Sequence, residues 1–130
     1  MKGQLFGLFR KSFSSYKTIF SRNLFTVSLT YKVSLEIVEK HLDMHRKFLE
    51  NNYQKGIFIA SGPKFPRTGG VIIASLPNKE ELNKVIEQDP FFQYHVADYE
   101  IIEFFPTLHR EDFKLIAEKD KAIHTKNLSP

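Results

Sequence analysis

Three patterns in the sequence predict an α+β fold in the order strand, helix, strand, strand, helix, strand. Leu24–Tyr31 (LFTVSLTY) alternates Phe25, Val27, Leu29 and Tyr31 against Leu24, Thr26, Ser28 and Thr30, the period of two of a pleated strand. Leu35, Val38, Leu42, His45, Leu49 and Asn52 then recur at spacings of three and four, which makes one apolar stripe on a long helix. Lys55–Leu76 (KGIFIASGPKFPRTGGVIIASL) sets two apolar runs, Ile57–Ala60 and Val71–Leu76, on either side of Pro63, Pro66, Gly69 and Gly70. Those residues favour backbone angles that others avoid, so the stretch reads as two strands joined by a shaped loop.

The element boundaries follow from local chemistry. Ser34 is placed to cap the first helix, Glu36 suits its first turn, and Gly56 stops it. Asn78 begins Asn-Lys-Glu-Glu, an N-cap with Glu81 at the capping-box position, and Leu82, Val85 and Ile86 form the buried stripe of the second helix. That helix ends near Asp89, because Pro90 disfavours helical geometry in the residue before it. Phe91–His95 reads as a connector and Tyr99–Phe105 as the last strand, closed by Pro106. A ferredoxin-like βαββαβ sandwich is the natural assembly of this order.

Such a sheet carries helices on one face only. Ile57–Ala60, Val71–Ala74 and Ile101-Ile102 with Phe104-Phe105 are nonetheless apolar at successive positions, which implies burial on both faces. A second copy of the chain is the simplest cover, so the expected partner is a homodimer mate packed through the sheet faces. Glu103 interrupts the last apolar run; it is expected at a sheet edge, at the interface rim or in a pair.

Composition narrows the function classes. The 130 residues fit one domain with a core that needs no disulfides, and cysteine is absent, which excludes thiolate metal sites and fits a reducing, cytoplasmic setting. Residues 1–23 hold Lys2, Arg10, Lys11, Lys17 and Arg22 and no acid, a charge of +5, so the rest of a chain of net charge +4 sums to −1. The body therefore lacks the basic surface that nucleic-acid binding requires. In the basic extension, Leu5, Phe9, Phe13, Tyr16 and Phe20 fall on one helical stripe. It reads as an organelle-targeting presequence, a membrane-surface helix, a disordered tail or an extended start site, and membrane contact is expected only there. The domain spans 24–108, and 109–130 is a tail in which Glu111–Ala122 suits a helix over the dimer edge and the end frays.

The candidate chemistry sits on few residues. His45 lies on the apolar stripe, where an imidazole titrating near neutrality serves either as a general base facing a pocket or as a core histidine bonded to a backbone carbonyl. Asp89 either orients that imidazole or bonds its own turn, as Asp-Pro sequences do. Ser61, Arg67 and Thr68 offer polar groups to an oxygen-rich anion, with Gly69 and Gly70 allowing close approach; the alternative is loop architecture alone. Arg67, alone among apolar strands, calls for an anionic partner. His41 and His45 have a metal-compatible spacing, but no third ligand is indicated and His41 is expected in solvent. Tyr53 and Tyr94 read as packing or rim residues. No GxGxxG, P-loop or nucleophile elbow occurs, which argues against nucleotide-dependent or serine-hydrolase chemistry.

His45 late in the first helix, Gly56 at its end, Ser61-Gly62-Pro63, Pro66-Arg67-Thr68-Gly69-Gly70 and Asp89-Pro90-Phe91 occur in an order and spacing that resembles the YciI-like (YCII-related) family of the dimeric α+β barrel superfamily. The resemblance runs from about Phe25 to Phe105. It implies a ferredoxin-like fold dimerised through its sheets, a pocket in each half holding a His and an Asp, and no metal. Related branches include a dehydrochlorinase of a chlorinated hydroxyhydroquinone, cofactor-free monooxygenases and muconolactone isomerases. The reading that follows is a cofactor-independent lyase or isomerase acting on a small cyclic or aromatic anion, with a non-catalytic dimeric binding or structural protein as the alternative.

Overall fold

In the computed structural model, residues 23–113 are described, and Asn23–Phe104 form one compact unit. The expectations for residues 1–22 and for the tail beyond Phe113 lie outside the described residues. Strand β1 (Asn23–Tyr31) leads into helix α1 (Leu35–Gln54), the hairpin β2 (Phe58–Pro63) and β3 (Gly69–Leu76), helix α2 (Lys79–Ile86), a short helix α3 (Pro90–Gln93) and strand β4 (Ala97–Phe104). The sheet order is β2-β3-β1-β4 and every pair is antiparallel, which is the ferredoxin-like arrangement.

Alternation in β1 decides which face is core. Phe25, Val27 and Leu29 are buried, and the register places Ala74 and Ile72 of β3 on the same side. Against them pack Val38 and Phe48 of α1, Leu82 and Ile86 of α2, and Phe91 of α3. A fully buried side chain of this size contributes about 1.5–3 kcal/mol relative to exposure, so this layer carries most of the stability. Leu42 and Leu49 are half-buried on the expected stripe, whereas Leu35 at its start is 45% exposed.

Local chemistry differs from expectation at three boundaries, whereas Gly56 stops α1 as expected. Ser34 holds the N-cap position of α1 through its carbonyl, which accepts from Ile37 and Val38, and its hydroxyl makes no capping bond. Gly56 ends α1 at φ 71°, with its N–H on the Tyr53 carbonyl and the Ile57 N–H on Asn52, a Schellman closure. Strand β2 runs on through Ser61-Gly62-Pro63 and β3 begins at Gly69, so the loop is only residues 64–68. The connector after Asp89 is the helix α3: Asp89 accepts the Phe91 N–H at 2.9 Å, and Pro90, whose fixed φ suits a first helical position, starts the turn.

The other sheet face is mixed. Thr26, Ser28 and Thr30 of β1 share it with Val71 (38% exposed), Ile102 (54%) and Phe104 (40%). Glu103 lies on the edge strand β4, and Asn23 Nδ2 donates to its carboxylate.

Candidate active site

Asp89 is the fixed point of the site. Its side chain is 0% exposed, and three donors converge on it. His45 Nδ1 lies 2.7 Å from Oδ1, the Phe91 N–H donates to the same oxygen, and the Tyr99 hydroxyl donates to Oδ2 at 2.6 Å. Three elements therefore meet at one carboxylate: α1 brings His45, the turn into α3 brings Asp89, and β4 brings Tyr99. Burying an ion without partners is costly, and here each oxygen is occupied by a donor. Burial, followed by the neighbouring carboxylate, holds the Tyr99 hydroxyl well above the ordinary tyrosine range, so it is a standing donor.

The carboxylate also fixes the imidazole. An ionised carboxylate only accepts, so the nitrogen facing it carries the proton and Nε2 of the neutral ring keeps its lone pair. Phe91 stacks on the ring at 3.9 Å between centroids and 4° between planes. One residue thus clamps the histidine with its side chain and the aspartate with its amide.

His45 borders a cavity of about 370 Å³ between α1 and the β2–β3 hairpin. Leu29, Leu42, Leu49 and Ile72 give it an apolar wall, while Ser61, Glu39, Arg46 and Arg67 supply polar groups. The volume falls at the small end of the range for small-molecule sites, roughly 300–1,000 Å³. Ser61 projects from β2, and its hydroxyl shares a 2.5 Å hydrogen bond with the Tyr53 hydroxyl from the last turn of α1. Arg67 has the anionic partner its isolation called for, but inside the chain: Nη2 lies 2.6 Å from Glu39 Oε1. That bond to Glu39 holds the guanidinium above its ordinary range.

Two expected ligand contacts take other roles. Thr68 is not among the residues lining the cavity; its amide and hydroxyl turn onto the Pro66 carbonyl and its own carbonyl accepts from Tyr31, so it closes the loop. Gly69 does border the cavity, yet a Cβ there would sit 1.8 Å from the Leu29 carbonyl oxygen. Its missing side chain makes room for β1 rather than for a ligand. His41 is not solvated as expected. Its ring stacks on Tyr94 at 4.5 Å, and its buried Nδ1 has no hydrogen-bond partner among the described residues.

Glu39, Arg46 and Tyr99 were missed from the sequence. Glu39, Leu42, Arg46 and Leu49 follow spacings of three and four, a second face of α1 beside the buried stripe, and that pattern was there to be read. Nothing local marks Tyr99, which reaches Asp89 only because β4 folds back against β1.

Among the described residues no helix is long and apolar enough to cross a membrane. No curated protein matches the chain. Its structure is similar to that of 5-chloro-2-hydroxyhydroquinone dehydrochlorinase from Burkholderia phenoliruptrix in complex with 2,5-dihydroxybenzoquinone, with a TM-score of 0.56 and 19% identity over 68% of this chain and 97% of that one. The model of the YCII-related domain matches residues 24–105, most of the chain, and the protein belongs to that family.

Proposed function

We propose that the protein is a cofactor-independent lyase or isomerase for a small cyclic or aromatic anion, with His45 as its general base. The observation that carries this reading is an imidazole on a cavity wall, 2.7 Å from a fully buried carboxylate. Asp89 fixes the tautomer and stabilises the imidazolium that forms when Nε2 takes a proton. In an elimination, the electron pair left by that proton forms the new double bond and the leaving anion departs from the neighbouring carbon. In an isomerisation, the imidazolium returns the proton to a different atom. Ser61 and the polar rim of the cavity orient substrate oxygens. The dehydrochlorinase to which the fold is similar binds a dihydroxyquinone, and a flat hydroxylated ring suits this cavity's leucine and isoleucine wall.

The second sheet face, with Val71, Ile102 and Phe104 exposed, supports a homodimer packed through the sheets. Light scattering on the full chain would give twice the monomer mass; a monomer at micromolar concentration contradicts this part.

The catalytic reading is tested in D2O with small hydroxylated aromatic and lactone acids, following carbon-bound deuterium and released anion. At least one acid exchanges or eliminates with the protein, and His45→Ala stops it. Binding without exchange or release across the set would favour the non-catalytic binding protein.

A further inference from the structure

The cavity rim holds two arginines in different states. Arg67 is held at 2.6 Å by Glu39, and both side chains border the cavity. Any anion that took Arg67 would have to displace that carboxylate and then sit beside it. Arg46 also borders the cavity and follows His45 directly in the chain. Its ion pair is with Asp43, one turn back, at 3.9 Å, with side chains 64% and 94% exposed. A contact that long and that exposed holds the guanidinium weakly. Glu39 and Arg46 are seven residues apart on α1, so they stand roughly 10 Å apart along its axis. One end of the rim is thus neutralised at close range, and the end beside His45 carries a positive charge that the exposed, 3.9 Å contact with Asp43 offsets weakly.

Resting on the reading of this cavity as a small-molecule site, we infer that Arg46, and not Arg67, receives the ligand's charged group, and that the cavity selects monoanions over neutral molecules and dianions. Among the charged groups that line the cavity, two guanidinium groups and one carboxylate leave a single positive charge. Arg46 supplies that charge as a planar fork that matches a carboxylate or phenolate. Glu39 has two effects: it neutralises Arg67, and it repels a second negative group. Arg46 is therefore a specificity-determining residue, and Glu39 is the counter-charge that limits the ligand to one negative group.

The test measures binding of benzamide, benzoate and phthalate to the full chain by calorimetry, in the wild type and in Arg46→Gln, Arg46→Lys, Arg67→Gln and Glu39→Gln. These probes share a ring and differ in charge. A charge-assisted hydrogen bond predicts that wild type prefers benzoate to benzamide by about tenfold or more. Arg46→Gln removes that preference while benzamide still binds, Arg46→Lys keeps part of it, and Arg67→Gln keeps most of it. Glu39→Gln raises phthalate affinity relative to benzoate. The assignment is overturned if Arg46→Gln keeps the preference and Arg67→Gln removes it, or if wild type binds benzoate and benzamide equally. That second outcome leaves the small-molecule site intact, whereas failure of all three probes to bind wild type removes both readings.

Discussion

Two polar clusters touch the same cavity and are built in opposite ways. The His45–Asp89–Tyr99 chain is buried, and the Asp89 carboxylate it converges on accepts three donors. The Glu39–Arg67 pair is about half exposed and Arg46 largely so, and each arginine meets its carboxylate at the surface. The low dielectric that strengthens the first cluster also makes any missing partner costly, so that cluster is rigid and holds one tautomer. Water screens the second, so its partners exchange at little cost. Proton chemistry suits the fixed cluster, and ligand selection suits the exchangeable one.

Substitutions that separate the clusters should differ in kind as well as size. On a substrate found by deuterium exchange, His45→Ala lowers turnover by about 10²–10⁴-fold, the usual range for a lost general base, while binding changes little. Asp89→Ala strands the His45, Phe91 and Tyr99 donors at once. Removing one partner of a buried charged pair costs about 3–5 kcal/mol, which in thermal denaturation lowers Tm by about 15 °C or more. An Asp89→Ala protein that melts within a few degrees of wild type would mean that the buried cluster is not a structural anchor.

Tyr99→Phe removes a single donor, at a cost of about 1–3 kcal/mol. It also gives the clusters a pH signature. Tyr99 titrates higher in the folded chain than the ordinary tyrosine value of about 10, so in alkali the folded state keeps a proton that the unfolded chain releases. Its contribution is complete below about pH 10 and is lost as pH rises beyond it. The stability difference between wild type and Tyr99→Phe should therefore hold at neutral pH and shrink in alkali; a difference that does not change with pH contradicts the buried hydroxyl–carboxylate contact. Smallest of all, Glu39→Gln and Arg67→Gln move Tm by less than about 2 °C, because exposed pairs contribute little.

Sequence made the fold legible where a pattern was local. The period-two run in Phe25–Tyr31, the Gly56 stop and the Asn78 cap each set one element, and the Asp89-Pro90 pair marked the turn that carries the carboxylate. His45 stood out because an imidazole on an apolar stripe is expensive without a partner. Tyr99 could not be read, since its contact depends on strand order rather than spacing. Arg67 borders the cavity, but its partner Glu39 comes from a helix 28 positions earlier, which spacing along the loop could not reveal. Thr68 was grouped with Arg67 as its neighbour, but in the loop its amide and hydroxyl turn back onto the Pro66 carbonyl, which adjacency in sequence does not reveal. His41 was misread in phase: it lies three residues after Val38 and four before His45, on the border of the buried stripe, where Tyr94 covers it.

The proposed proton chemistry depends most on the protonation of one ring. Long-range ¹⁵N–¹H correlation NMR of the histidine side chains at pH 7, with His45→Ala for assignment, reads it directly. The expected result is a neutral His45 with its proton on Nδ1 and a lone pair on Nε2. A proton on Nε2 of the neutral ring, or an imidazolium at that pH, would contradict a general base held ready by Asp89.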